Sequence, residues 1–318
     1  MTEFELIDRL RVLMPSNATT QVGPGDDCAV LDLGLADRWL LFKTDAIVEG
    51  VHFEAGTDPL WIGHKALARC LSDVAAMAGT PSHALVTLGL PMNFNAARVE
   101  GVYAGIKRLA ERHGIAIVGG ETMSNPERLL LSLAVIGTAG RGRCPLRSAA
   151  QPGDALFVTG ELGGSLESGR HLSFEPRLEE GRWLVEHFEI RAMIDLSDGL
   201  AGDLKHLLKA SHVGAEILAD SIPIHPVVRG ADKASAEKPS YPPKSALTKA
   251  LSDGEDYELL FTLRGSDSVR LLDAWRARFA SLRLSCIGKI TPGTALLVRD
   301  RDGLRPLTLD GYVHFQKP

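Results

Sequence analysis

The sequence predicts an α/β protein, leaning to α+β, with a two-domain architecture. Three observations predict it. Short apolar runs of strand length alternate with longer stretches whose apolar residues recur every three or four positions. The segment 140–154, GRGRCPLRSAAQPGD, is dense in Gly, Pro and Arg and reads as a linker. A second strand–helix set follows it. The expected domains are therefore 1–145 and 146–318.

The elements run in order. Residues 1–14 read as an amphipathic helix that begins with acids, unlike a signal peptide. RWLLFK (38–43) reads as a strand and 61–78 as a helix. HALVTLGL (83–90) reads as a buried strand. Residues 96–112 carry Val99, Val102, Ile106 and Leu109 at helical spacing. IAIV (115–118) and LLLSLAVIG (129–137) are two more apolar strands. Beyond the linker, ALFVTG (155–160), AMIDL (192–196) and YELLFTL (257–263) read as strands, and 199–210 and 267–280 as helices. The polar, Pro-rich stretch 230–246 reads as a surface loop.

The totals exclude several classes. The chain has 318 residues, 45% hydrophobic and 24% charged, with net charge −5. Those are the values of an ordinary globular protein, and nothing in them suggests a nucleic-acid surface. No apolar run reaches the ~18 residues of a membrane span. Cys28, Cys70, Cys144 and Cys286 are far apart and form no zinc spacing. A cytoplasmic protein with reduced thiols is the expectation.

The chemistry concentrates in acids. Asp26 and Asp27 follow a Gly-Pro-Gly turn, which turn chemistry alone also explains. Thr44 and Asp45 stand where the first strand is expected to end; a solvated loop acid is an equal reading. Asp73 lies about 40° from the centre of the stripe Ile62, Ala66, Cys70, Val74 and Met77. A carboxylate there either has a buried partner or faces a site. In MIDLSDGLAGDL (193–204), Ser197 or Asp198 can cap the next helix, which leaves Asp195 unexplained. That helix N-terminus also suits phosphate. Gly119 and Gly120 let the backbone approach a ligand and precede Glu121, although a plain turn would do the same. SDGEDYELLF (252–261) places three more acids ahead of a strand.

No P-loop, G-x-G-x-x-G, G-x-S-x-G or H-E-x-x-H motif is present. Oxygen donors without Cys or His suit Mg²⁺, and Mg²⁺ with glycine turns suits a polyphosphate. Residue types alone stop at a Mg²⁺-nucleotide enzyme not of the P-loop type.

Taken in order, GDDCAV, KTDAIVEGVHF, LSDVAAMAG, VGGET, MIDLSDGL, GEDYELLF and GYVHF resemble the thiamine-monophosphate kinase family. The family sits in the superfamily of aminoimidazole ribonucleotide synthetase and selenophosphate synthetase. Each motif is weak; seven in order, from about Asp26 to Phe315, are specific. The resemblance implies an N-terminal domain that pairs sheets across a homodimer, and a C-terminal α/β domain. It implies ATP as co-substrate, several Mg²⁺ ions, and γ-phosphoryl transfer to thiamine monophosphate, giving thiamine diphosphate. By motif position, Asp27, Thr44, Asp45, Asp73, Glu121, Asp195 and Asp198 correspond to metal ligands. Tyr103, Gly119, Gly120, Arg147 and Ser197 correspond to nucleotide contacts. His52, Glu255 and Tyr312 correspond to contacts with thiamine monophosphate. No general base is assigned, because the acceptor phosphate, with a second pKa near 6, is already anionic at neutral pH. Neither nucleic acid nor membrane is an expected partner.

Two positions depart from the family pattern: Glu121 stands where Asp is usual, and Lys43 where Ser or Thr is usual. An ammonium has no lone pair for a metal. Rival superfamily members make a purine intermediate, selenophosphate or a maturation cofactor. The reactive Gly-rich cysteine segment of selenophosphate synthetases is absent. A non-catalytic nucleotide-binding scaffold would not need acids for an acceptor phosphate.

Overall fold

The computed structural model describes residues 3–229 and 244–312. Most of the 230–246 stretch, and Val313–Phe315 of the last motif, lie outside the described residues. The chain forms two compact units. The N-terminal unit is 18–144 with 171–182; the C-terminal unit is 1–17, 145–170 and 183–318. Division at one linker thus misses two segments. Residues 171–182 join the N-terminal unit because they pack on its helices: Lys65 Nζ donates to His171 Nδ1 (2.9 Å) and His64 Nε2 to the Phe174 carbonyl (2.8 Å). Helix α1 (Glu3–Arg11) belongs to the C-terminal unit, where Asp8 pairs with Lys209 at 3.2 Å.

The N-terminal unit contains β1 (Thr20–Val22), β2 (Ala29–Leu31), β3 (Arg38–Val48), α2 (Pro59–Ala76), β4 (Thr80–Leu90), α3 (Ala96–His113), β5 (Ala116–Ser124) and β6 (Leu130–Gly140). Its sheet runs β1-β2-β3-β6-β4-β5, with only β4 and β5 parallel. Helix α2 starts earlier than the apolar stripe suggests. Asp58 caps it, accepting from Leu60 N–H at 2.9 Å, and Pro59 fills the first helical position. Leu67, Leu71 and Val74 of α2 are buried, as are Leu41 and Ile47 of β3 and Leu131, Leu133 and Val135 of β6. The backbones of α2 and α3 meet closely: a Cβ on Gly63 would stand 1.8 Å from the Val102 carbonyl oxygen. Elsewhere on the sheet apolar side chains are exposed: Phe42, Leu85, Val118 and Met123.

The C-terminal unit contains β7 (Asp154–Thr159), the single turns α4 (Ser165–Ser168) and α5 (Arg170–Ser173), α6 (Leu178–His187), β8 (Ala192–Asp195), α7 (Leu200–Ser211), β9 (Gly214–Leu218), α8 (Pro226–Arg229), α9 (Ala246–Ser252), β10 (Leu259–Arg264), α10 (Ser268–Arg278), β11 (Leu284–Thr291), β12 (Leu296–Asp300) and β13 (Gly303–Pro306). Parts of α5 and α6 belong to the 171–182 segment. Its sheet runs β13-β12-β9-β11-β7-β10-β8, with only β9 and β12 parallel. Strands β7, β8 and β10 are buried along nearly their whole length, the mark of a central sheet. Helix α7 packs Leu200, Leu204, Leu207 and Leu208 into the same core. The two sheets with helices make the mixed α/β fold that the sequence predicts. Strands β9, β11, β12 and β13 went unread.

Candidate active site

The N-terminal unit builds its acid group from a turn, a strand and a helix. Asp27 is 2% exposed and Asp73 7%, and they bring carboxylate oxygens within 4.8 Å of one another. Asp27 leads into β2, and its N–H donates to Asp26 Oδ1 (3.0 Å). Strand β3 does not end at residue 43 as expected. It pairs with β6 in unbroken register from Arg38↔Gly140 to Val48↔Leu130. Lys43, Thr44 and Asp45 are therefore strand residues, and alternation decides where each points. Lys43 and Asp45 share the face of buried Leu41 and Ile47. Thr44 takes the other face, its hydroxyl 3.4 Å from Ser132 Oγ. Thr44 and Asp45 therefore point to opposite faces of β3.

Lys43 Nζ lies 2.7 Å from Asp73 Oδ1, so the acid on the apolar stripe has an ion-pair partner. Burial alone would lower the Lys43 pKa; Asp73, then Asp45, outweigh it and hold the ammonium above its ordinary value. Asp45 in turn lies 3.1 Å from the Arg69 guanidinium. Burial, reinforced by Asp73, pushes the Cys28 thiol well up, which leaves it a poor nucleophile.

The turn after β3 holds His52. Gly50 N–H donates to the Phe53 carbonyl (2.8 Å), and Val48 N–H to His52 Nδ1 (3.1 Å). Glu49 accepts from Leu129 N–H (3.2 Å) and lies 3.6 Å from Arg98, which fixes the turn. Lys65, fully buried, donates to the His52 carbonyl at 2.8 Å. Sequence reasoning missed Lys65 and Arg69. Their signal was available: Lys65, Arg69 and Asp73 recur every four residues on one side of an otherwise apolar helix.

Gly119, Gly120 and Glu121 are inside β5, not in a turn after it. A Cβ on Gly120 would sit 1.8 Å from the Val86 carbonyl oxygen of β4, so the neighbouring strand demands this glycine. Gly119 has φ 150°, where side chains are rare. Glu121 is exposed and accepts from Thr122 N–H (2.9 Å); Tyr103 is 38% exposed on α3.

In the C-terminal unit the predicted residues converge. Asp195 ends β8 and is 4% exposed. The next residues are held by backbone hydrogen bonds: Tyr257 N–H to Leu196 O (2.8 Å), Glu255 N–H to Ser197 O (2.7 Å) and Tyr312 N–H to Asp198 O (2.8 Å). Asp195, Ser197, Asp198, Glu255 and Tyr312 thus belong to one scaffold. Glu255 and Tyr257 have φ of 57° and 51°, a strained left-handed backbone. Neither Ser197 nor Asp198 caps α7, contrary to expectation. Gly199 takes the cap position at φ 98°, and Asp203 from the first turn accepts from Asp198 N–H at 3.0 Å. Burial raises the Asp203 pKa well above its ordinary value; Asp198 and Asp195 add to the rise, and the Asp198 amide and Arg147 oppose it. The Arg147 carbonyl accepts from Ser211 Oγ (2.7 Å). Beneath the strained turn, Asp256 accepts from Arg170 (2.9 Å) and Glu258 from Thr159 Oγ1 (2.7 Å).

Residues 25–139 match the family model described as AIR synthase related protein, N-terminal domain. The chain is 32% identical to the thiamine-monophosphate kinase of Bacillus subtilis, covering 99% of this chain and all of that one. The chain belongs to the thiamine-monophosphate kinase family. Membership makes it an enzyme, a phosphotransferase. The family's protein from Rhodopirellula baltica is 44% identical over 248 residues, 76% of this chain and 75% of its own. The solved structure "AaThiL complexed with AMPPCP and TMP" superposes with a TM-score of 0.82 at 30% identity, covering 99% of this chain and 97% of that one. Among the described residues no helix is long and apolar enough to cross a membrane.

Proposed function

We propose that this chain transfers the γ-phosphoryl group of ATP directly, in line, to the phosphate of thiamine monophosphate, assisted by several Mg²⁺ ions. One observation carries the substrates: the full-length relative at 30% identity is described as complexed with AMPPCP and TMP. The donor set fits Mg²⁺. It is all oxygen, and the Asp27 and Asp73 oxygens, within 4.8 Å, are close to the ~4.2 Å that two ligands of one Mg²⁺ can span. Asp27, Asp45 and Asp73 of the N-terminal unit, Asp195 and Asp198 of the C-terminal unit, and Glu121 from β5 would hold the metals. When bound, Mg²⁺ screens two anionic substrates that otherwise repel by roughly 4 kcal/mol at 4 Å and an effective dielectric of 20.

The chain's own groups do the rest. Asp203 holds the Asp198 amide and so fixes the turn that presents both acids. Arg147, Ser197, Tyr103, Gly119 and Gly120 are assigned to the nucleotide. His52 is positioned by Lys65 toward the acceptor, Glu255 attracts the cationic thiazolium, and Tyr312 stacks on it. No side chain needs to take a proton from the acceptor. The exposed Phe42, Leu85, Val118 and Met123 support a homodimer through this sheet. Well-separated free cysteines support a cytoplasmic setting.

The test is ADP release in Mg²⁺ with thiamine monophosphate, an aminoimidazole precursor or selenide. Turnover with the first alone is expected; turnover with either other acceptor and not the first would overturn the assignment.

A further inference from the structure

Lys43 sits at the centre of the N-terminal acid group rather than at its edge. It occupies the middle of β3, on the face of buried Leu41 and Ile47, and its ammonium lies 2.7 Å from Asp73 Oδ1. The contact is sheltered, with the two side chains 23% and 10% exposed. Asp73 is the same residue whose carboxylate comes within 4.8 Å of that of Asp27. Asp45, on the same face of β3 as Lys43, is paired with Arg69 at 3.1 Å. Two fixed cations, Lys43 and Arg69, thus already stand on the Asp73 and Asp45 carboxylates.

An ammonium and a divalent ion compete for the same oxygen. The ammonium offers three donors and no lone pair, so it cannot share a coordination shell as a Ser or Thr hydroxyl would. It is a compact charge on a flexible stem, suited to phosphate oxygens as a point cation. We propose that Lys43 is a built-in substitute for one divalent cation: its ammonium takes the place on Asp73 that a metal would otherwise occupy, and contributes its charge and N–H groups to the nucleotide phosphates. The chain then binds one divalent ion fewer than its carboxylates would allow. This rests on the reading of Asp27, Asp45 and Asp73 as metal ligands.

The experiment counts metal rather than turnover. Mn²⁺ bound per chain is measured by electron paramagnetic resonance and by titration calorimetry, with the protein saturated in AMPPCP, for the wild type, Lys43→Ser and Lys43→Arg. Folding is checked by circular dichroism; if Lys43→Ser does not fold, Lys43→Gln, neutral and of similar length, replaces it. One more Mn²⁺ per chain in the neutral variant, with Lys43→Arg at the wild-type count, supports the substitution. Equal, non-zero counts in all three overturn it while leaving the metal-site reading intact, because Lys43 would then swing aside for the ion. No bound Mn²⁺ in any of them overturns both.

Discussion

Asp256→Asn isolates the buried support of the strained turn that carries Glu255. Asp256 is 2% exposed; both of its oxygens are 3.0 Å from Gly163 N–H, and one accepts from Arg170 at 2.9 Å. Burial pushes its carboxyl up from 3.8 to about 7; Gly163 and Arg170 pull it back, and Glu258 adds to the rise. Between those pH values the folded chain keeps a proton that the unfolded chain has lost. This group's contribution to stability is therefore complete below about pH 4 and declines as pH rises toward 7. At 1.36 kcal/mol per pH unit the ceiling is about 4 kcal/mol, and about 2–3 kcal/mol falls between pH 5 and 7. Asparagine cannot titrate but keeps an oxygen for Gly163. Denaturant unfolding of both proteins at pH 5, 6, 7 and 8 reads the difference directly. The wild type should lose about 2–3 kcal/mol relative to the variant between pH 5 and 7. Parallel stability curves would refute the reasoning, since Asp256 would then titrate alike in the folded and unfolded chains.

Other substitutions probe other joints. Lys65→Met removes the donor to the His52 carbonyl and His171; a stability loss of about 2–4 kcal/mol and a raised KM for thiamine monophosphate are expected, and an unchanged KM would detach His52 from the acceptor. Gly120→Ala forces a methyl group against the Val86 carbonyl, where no rotamer gives relief; an unfolding free energy lowered by about 1–3 kcal/mol is expected, and a neutral result would contradict the β4–β5 register. Glu255→Gln and Tyr312→Ala should each raise KM for thiamine monophosphate more than KM for ATP, and equal changes in both constants would remove them from the thiazolium contact.

What could be read from the chain followed periodicity. The stripe on α2 placed Asp73 on an inward face, and its burial agrees. Its partner could not be read, because helical spacing does not say which strand lies opposite. The end of β3 was misplaced because titratable residues look like a strand's exit; yet Leu41, Lys43, Asp45 and Ile47 alternate correctly for one buried face. Gly119 and Gly120 looked like room for a ligand, whereas Gly120 answers to the carbonyl of the next strand. At α7 the residue types suggested a Ser or Asp cap, but the reach-back comes from Asp203, four positions beyond the cap residue. The grouping of 171–182 with the N-terminal unit depends on contacts with α2 more than a hundred residues away in sequence. Strands β9 and β11 were passed over because glycines and charged residues interrupt their apolar runs.

The central claim is one direct displacement at the γ-phosphorus, with no side chain as nucleophile. Its most direct measurement uses ATP made chiral at the γ-phosphorus with three oxygen isotopes. The configuration of the terminal phosphate in the thiamine diphosphate product is then read by phosphorus NMR. A single in-line transfer predicts inversion. Retention would mean two displacements through a phosphorylated residue, and would contradict the account.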